Sequence, residues 1–292
     1  MRILILGGSG MLGHKLVQRL SPRFDVYTTV RDDGKSLLSR GLVQPSQLLS
    51  YIDVRNDSAL IRAIESTQPN AVVNAVGVVK QSPTANDVIT TLTINSILPH
   101  KLSLLGRQYG FRLITISTDC VFAGDKGNYS EGYTPDATDF YGRSKYLGEV
   151  TGENCLTIRS SIIGRELNTT HGLIEWFLAN RGGCVNGFAN AIYSGFPTIV
   201  FADIIGDLLL DHPVLQGLYH ISSDPIDKFR LLNLASDAFG AQVTIDRDET
   251  FVIDRSLDSS RFRAATGFAP QTWEEMIERM AIDPTPYDDW RK

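Results

Sequence analysis

The chain has 292 residues, enough for one large α/β domain or for one such domain with a smaller partner, and its 42% hydrophobic and 21% charged residues are those of an ordinary soluble protein. The net charge of −5, without a basic run, argues against a nucleic-acid partner, and no apolar run is long enough for a membrane span or signal peptide. The three cysteines cannot all pair and form no C-x-x-C spacing, which predicts reduced thiols and a cytoplasmic protein.

The chain begins with a strand and a glycine-rich turn. The apolar run of residues 2–6 is typical of a strand buried in a parallel sheet, and residues 11–20 carry leucines along one helical stripe. The G-x-x-G-x-x-G spacing between them permits a tight turn and aims helix amides at a pyrophosphate, although a turn without a ligand is the alternative. We predict that the turn binds a dinucleotide through Gly7, Ser9, Gly10, Met11, Leu12 and Gly13.

The second predicted strand, residues 24–30, indicates which cofactor is bound. An arginine at its end matches the 2′-phosphate of NADPH, whereas an acidic residue would accept a hydrogen bond from the ribose of NADH. Arg31 stands at this position and Asp32 follows it. We therefore predict NADPH, with NADH as the alternative if the Asp32 side chain turns towards the ribose.

Four more strands complete the predicted sheet, at residues 50–54, 71–75, 112–116 and 155–159. Helices are predicted at residues 58–66, at 86–109 with an interruption at Pro99, and at 140–153. Ligands bind at the carboxyl edge of such sheets. We therefore expect further cofactor contacts from Asp53, which is placed to meet the adenine edge, and from Val54, Ala75, Val76 and Gly77.

After residue 159 the alternation of strands and helices becomes irregular. Helices are predicted at residues 172–180, 228–239, 259–266 and 273–280, with a strand and a helix over 198–210 and a short strand at 217–221. We predict a Rossmann-type doubly wound α/β fold with a smaller mixed α/β lobe that binds substrate. The dinucleotide-binding domain would comprise residues 1–160 with about 190–215, and the lobe residues 161–189 with about 216–292.

The candidate catalytic residues follow the fifth strand. Thr118 stands directly after that strand, and Tyr141 and Lys145 lie one helical turn apart on the same face of the next helix. An ammonium near a phenol favours the phenolate, so the tyrosine can exchange a proton near neutral pH. A solvent-facing helix pair is the alternative, but the strand end and the glycine-rich turn favour catalysis.

These features resemble the extended short-chain dehydrogenase/reductase family, and most of all its dTDP-4-dehydrorhamnose reductase group. The resemblance is carried by residues 117–124, 141–149 and 186–203, and nearly the whole chain takes part. It implies cytoplasmic, NADPH-dependent reduction of the 4-keto group of a nucleotide-linked 6-deoxy sugar, in polysaccharide biosynthesis. It also implies a catalytic triad of Thr118, Tyr141 and Lys145, with Asn95 supporting the lysine through water. A homodimer is left open.

The substrate is less closely defined. Expected substrate contacts are Thr118, Asp119, Cys120, Trp176, Phe196 and Arg261. Cys120 replaces the glutamate that 4,6-dehydratases carry after the aspartate, which argues against dehydration. GDP-fucose synthase, a relative, has a cysteine and a histidine that match Cys120 and His171, so this pair could epimerise the 4-keto sugar before reduction. Alternatively, Cys120 only fills space and His171 caps a helix or touches a phosphate.

The sequence also bears on a regulatory role and on a metal site. A non-catalytic, NADP-binding regulatory subunit would keep the glycine-rich turn, but such proteins commonly lose the tyrosine or the lysine, and both are present here. A metal site is not predicted, because His100, His212 and His220 lack a second ligand at metal-binding spacing.

Overall fold

A computed structural model describes residues 1–291; residue 292, the last of the predicted substrate lobe, lies outside them. The chain forms two compact units and alternates between them. The first unit comprises residues 1–117, 139–158 and 202–218, and the second residues 118–138, 159–201 and 219 onwards. Residues 118–138 and 190–201 thus group with the second unit, whereas the predicted Rossmann domain included them. Which unit binds cofactor and which binds substrate stays a prediction.

The strands and helices are as follows. The strands are β1 (Arg2–Leu6), β2 (Asp25–Thr29), β3 (Leu48–Leu49), β4 (Ala71–Asn74), β5 (Arg112–Ile116), β6 (Cys155–Arg159), β7 (Ile162–Ile163), β8 (Cys184–Tyr193), β9 (Phe196–Pro197), β10 (Gly217–His220), β11 (Ile226–Asp227) and β12 (Thr244–Asp254). The α-helices are α1 (Met11–Leu20), α2 (Lys35–Ser39), α3 (Asp57–Thr67), α4 (Val88–Thr91), α5 (Leu98–Tyr109), α6 (Phe140–Leu147), α7 (Leu173–Ala179), α8 (Thr198–Leu210), α9 (Lys228–Phe239), α10 (Ser260–Thr266) and α11 (Trp273–Ala281).

The central sheet has seven strands in the order β10-β6-β5-β4-β1-β2-β3. Strand β1 pairs in parallel with both β2 and β4, so the strand order reverses at this point. Such a reversal defines a doubly wound Rossmann sheet and places the ligand crevice at its carboxyl edge. The buried core under the sheet includes Leu4, Val72, Leu102 and Leu113. The predicted fold class is confirmed.

The long helical stretch before β5 widens in its middle. A π-helical turn, Leu92–Ile97, joins α4 to α5. The predicted interruption at Pro99 is wrong, because Pro99 lies in the first turn of α5, where a proline is tolerated. A proline lacks the amide hydrogen that would bond to the carbonyl four residues earlier, which is that of Asn95. π-turns of this kind frequently mark functional sites.

Three other predicted elements need correction. Residues 50–54 do not form the third strand, because Tyr51 adopts a left-handed conformation with φ 60° and only Leu48–Leu49 pair with β2. Helix α6 ends at Leu147 rather than at residue 153. A side chain at the next residue, Gly148, would overlap the carbonyl oxygen of Asn95. Residues 198–210 are helical throughout, and the strand residues Phe196–Pro197 precede them.

The second unit contains a three-stranded mixed sheet in the order β11-β8-β12. Strand β8 pairs in parallel with β12 and antiparallel with β11, and its residues are buried in alternation. Helix α9 packs on β8. The smaller mixed α/β part was predicted, but β8 and β12 were not.

Within residues 1–291, none of the helices combines the length and the apolar character that crossing a bilayer requires.

Candidate active site

The glycine-rich turn is shaped by contacts that exclude side chains. Gly7 has a φ of 87°, in the left-handed region that favours glycine. A Cβ on Gly13 would overlap the carbonyl oxygen of Gly7, so the start of α1 packs directly against the turn. Gly10, the N-cap of α1, provides no side-chain hydrogen bond to the first amides of the helix. This cradle fits a pyrophosphate, which those amides can bind.

Two side chains after the end of β2 bear on the choice of cofactor. Arg31 is exposed, so its guanidinium is accessible to a phosphate. The carboxylate of Asp32 accepts a hydrogen bond from the amide of Gly34 at 2.9 Å, which commits one of its oxygens to its own loop. The choice of NADPH over NADH stays a prediction.

A surface cleft of about 520 Å³ lies where the adenine was predicted. Its lining residues are Asp53, Arg55, Asn56, Ile89, Thr90 and Thr93. The carboxylate of Asp53 accepts two hydrogen bonds from the Arg55 guanidinium, at 3.0 and 2.6 Å, and these bonds hold its pKa below the ordinary value. Val54, beside it, is buried. Asp53 is thus an ionised acceptor at the edge of the cleft.

Residues 75–77 lie between the glycine-rich turn and Lys145 of α6. The Val76 side chain would lie 2.9 Å from a Cβ on Gly7. A Cβ on Gly77 would lie 3.6 Å from Oδ1 of Asn95 and 3.9 Å from Nζ of Lys145. The first unit therefore brings the predicted turn, the end of β4, Asn95 and Lys145 together.

Asn95 is buried in the π-turn and ties two segments to each other. Its side-chain amide donates to the carbonyl of Val78 at 2.9 Å and to Oγ of Ser144 at 3.0 Å, and its Oδ1 accepts from the Val78 amide at 2.9 Å. Ser144 belongs to α6 and is fully buried. Asn95 thus positions α6 by direct hydrogen bonds, and its predicted support of Lys145 through water stays a prediction.

Helix α6 carries Tyr141 and Lys145. Asp139 caps it by accepting from the Gly142 amide at 2.9 Å. The ammonium of Lys145 donates to the carbonyl oxygen of Ile116, the last residue of β5, at 2.6 Å. Burial lowers the pKa of Lys145 to about 8, and Glu149 opposes this shift. A lysine with so low a pKa is a candidate functional group.

In the second unit, Thr118 and Asp119 are both buried. The hydroxyl of Thr118 donates to Oδ1 of Asp119 at 3.0 Å and accepts from the amide of Cys120 at 3.1 Å. Burial raises the pKa of Asp119 above its ordinary value, while the Thr118 hydroxyl and Arg255 act in the opposite direction. Thr118 is therefore held in one rotamer by its two neighbours.

Cys120 is half-buried and lies beside cations. Arg255 donates to the carbonyl of Phe122 at 2.8 Å and directs Nη1 at Sγ of Cys120, 3.6 Å away. Burial lowers the pKa of Lys228, and its attraction to Asp119 and Cys120 partly offsets that shift. His171 lies on an exposed loop, where its backbone amide donates to Glu166 at 2.9 Å.

The remaining predicted substrate residues differ in exposure. Trp176 is 42% exposed on α7. Phe196 is fully buried, and its ring packs against those of Phe201 and Phe268, which is a core environment. The Arg261 guanidinium stacks over the ring of Tyr219 at 4.5 Å. Their roles in substrate binding stay predictions.

Two side chains near these residues were missed from the sequence. Arg255 contacts Cys120 across more than a hundred residues of chain, a separation that no local sequence pattern reveals. Lys80 donates to Asp139 at 2.9 Å and was not singled out. The sequence signal for the Lys80 contact was Asp139, which is a favoured N-cap residue and stands directly before the helix that carries Tyr141.

Comparisons with known proteins identify the family to which the chain belongs. The family described as the RmlD substrate binding domain matches residues 1–245. The chain belongs to this family. A probable dTDP-4,6-dihydroxy-2-methyloxan-3-one 4-ketoreductase of Streptomyces antibioticus is 29% identical over all of this chain and 88% of its own length.

Two other similarities are to a curated relative and to a solved structure. Methionine adenosyltransferase 2 subunit beta of Xenopus tropicalis is 21% identical over 95% of this chain and 80% of its own length. The crystal structure of dTDP-4-dehydrorhamnose reductase from Bacillus anthracis in complex with NADP superposes with a TM-score of 0.78 at 23% identity. It covers 97% of this chain and 99% of its own, which shows a shared fold.

Proposed function

We propose that this RmlD-family protein reduces the 4-keto group of a nucleotide-linked 6-deoxy sugar with NADPH, in the cytoplasm. The observation that carries the proposal is Lys145, which lies one helical turn from Tyr141, bonds to the end of β5 and has its pKa lowered to about 8. The named 4-ketoreductase relative and the NADP complex of a structural neighbour support the substrate class and the cofactor.

In the proposed reaction, bound NADPH supplies a hydride to C4 of the sugar. Tyr141 gives its phenolic proton to the carbonyl oxygen, and the Lys145 ammonium stabilises the phenolate that remains. Thr118 donates a hydrogen bond to the developing alkoxide, for which its hydroxyl hydrogen turns from Asp119 to the substrate. The first unit binds the cofactor through residues 7–13 and Arg31, and the second unit binds the sugar nucleotide.

The test is an assay of the purified protein with NADPH and dTDP-, UDP-, GDP- and CDP-linked 4-keto-6-deoxy sugars. We expect NADPH to be consumed with one nucleotide, and thermal stabilisation by sugars bearing that same base. A regulatory subunit, the alternative raised by the methionine adenosyltransferase relative, would bind NADPH and consume none of it. That result would refute the reductase proposal. Whether the protein forms a homodimer stays open.

A second candidate function is epimerisation before reduction, favoured by the Arg255 contact with Cys120. Arg255 lies beside the Cys120 sulfur, and Cys120 could remove a proton beside the keto group while His171 could return one. Run in deuterated water, the reaction would then place deuterium at C3 or C5 of the product. We expect Cys120→Ser to lose this label; an unlabelled wild-type product would exclude epimerisation.

A further inference from the structure

The segment after β4 places a second lysine beside the tyrosine assigned to proton transfer. Nζ of Lys80 lies 5.7 Å from the centroid of the Tyr141 ring. Within about 6 Å of a ring centroid, a cation is attracted by the ring's negative face. The same ammonium donates to Oδ2 of Asp139 at 2.9 Å. Lys80 therefore contacts both the catalytic ring and the cap of its helix.

The carboxylate of Asp139 connects Lys80 to α6. Its Oδ1 accepts from the Gly142 amide at 2.9 Å while its Oδ2 binds the Lys80 ammonium. The Lys80 and Asp139 side chains are 39% and 36% exposed, and exposed ion pairs of this kind add little to stability. We therefore expect the pair to affect the position and the electrostatic environment of the Tyr141 ring more than the free energy of unfolding.

The backbone beside Lys80 is anchored independently. The Asn95 side chain bonds to both the amide and the carbonyl of Val78, two residues earlier, and also to Ser144 on α6. The Ser144 hydroxyl in turn donates to the carbonyl of Tyr141 at 2.8 Å. Lys80 is thus held near Tyr141 in two ways, through the anchored backbone of Val78 and through its own ammonium.

We propose that Lys80 is a positioning residue for proton transfer, which holds the Tyr141 ring and favours its phenolate form. This inference rests on the proposed function. Charged groups close to Tyr141 in the first unit include Lys80 from the segment after β4, Asp139 at the N-cap of α6 and Lys145 one helical turn along α6, with Glu149 after the end of the helix. Nearby cations lower the pKa of a phenol and nearby anions raise it, so Asp139 offsets part of the effect of Lys80.

The test is a titration of Tyr141 followed by tyrosinate absorbance. Wild type, Lys80→Met and Lys80→Arg are each measured against the same protein carrying Tyr141→Phe, so that the difference reports Tyr141 alone. We expect Lys80→Met to raise the pKa of Tyr141 by roughly half a unit, and Lys80→Arg to keep it near the wild-type value, since a cation remains. An unchanged pKa in Lys80→Met, or an equal rise in Lys80→Arg, would overturn the proposal.

A matched variant tests the sign. In the Lys80→Met background, where no ammonium depends on Asp139, Asp139→Asn keeps an oxygen that can accept from the Gly142 amide but removes the negative charge, so we expect the pKa of Tyr141 to fall below that of Lys80→Met alone. A rise would contradict the proposal. Because the titration needs no substrate, it decides the role of Lys80 even if wild type reduces no sugar nucleotide, a result that would refute only the proposed function.

Discussion

Lys145 in the first unit is half-buried and Arg165 in the second is buried, and the two cations have different partners. Lys145 donates to a neutral carbonyl oxygen, and burial lowers its pKa to about 8. Arg165 binds the carboxylates of Glu175 and Asp288, and its guanidinium lies 4.8 Å from the centroid of the Tyr287 ring. A buried cation with carboxylate partners supports the fold, whereas one with a neutral partner remains ready to exchange protons.

The largest expected effect tests the structural side of this comparison. Glu175 is fully buried and accepts from Arg165 at 2.7 Å and from Arg291. Glu175→Gln removes the carboxylate that Arg291 binds and one of the two carboxylates that Arg165 binds, and breaking a buried pair in this way costs about 3–5 kcal/mol. Urea denaturation at neutral pH measures the change in the free energy of unfolding.

The control is Arg230→Ala, which breaks an exposed pair with Glu274 and should cost less than about 1 kcal/mol. Although burial alone would raise the pKa of Glu175, hydrogen bonds from Arg291 and Arg165 hold it below its ordinary value. The contribution of Glu175 to stability is therefore present above the ordinary pKa of glutamate. It is lost as the pH falls through the lowered pKa of Glu175 in the folded protein. A Glu175→Gln defect that does not shrink in acid would contradict this account.

The next effect tests the functional side. Lys145→Met should abolish turnover and yet keep or raise the free energy of unfolding at pH 7, by about 1 kcal/mol, because the folded state no longer buries an ammonium. The lost hydrogen bond to Ile116 limits this gain. Loss of stability at pH 7 in this variant would show that Lys145 serves the fold.

The pH dependence of wild type gives the sign of the Lys145 effect. A base whose pKa is lowered on folding destabilises the protein while it is charged, so stability should rise as pH increases from about 8 towards the ordinary lysine pKa. Turnover should fall over the same range, since neutral Lys145 no longer stabilises the phenolate. The rate is measured as NADPH consumption. A rate that stays constant beyond pH 8 would show that Lys145 takes no part in proton transfer.

Much of the first unit was predictable because its signals are local. Strands β1, β4, β5 and β6 are short apolar runs, and each is buried in the parallel sheet. The glycine-rich turn and the Tyr141 and Lys145 pair depend on spacing within a few residues. The early end of α6 was missed because it depends on Asn95, more than fifty residues away, against which Gly148 packs.

The second unit was predicted less well because its contacts join distant parts of the chain. Strand β12 is largely exposed and rich in charged residues, so it lacks the alternation that indicates a strand, and its pairing with β8 spans about sixty residues. Arg291 reaches Glu175, and Arg255 reaches Cys120, over more than a hundred residues. Only the structure brings such residues together.

The most direct test of the reductase account is Tyr141→Phe, assayed for turnover of a 4-keto sugar nucleotide and for NADPH binding. The phenyl ring keeps its place on α6 but has no proton to give, so we expect turnover to be lost while NADPH binds nearly as in wild type. Turnover at the wild-type rate in this variant would contradict the assignment of Tyr141 as the proton donor, and with it the proposed mechanism.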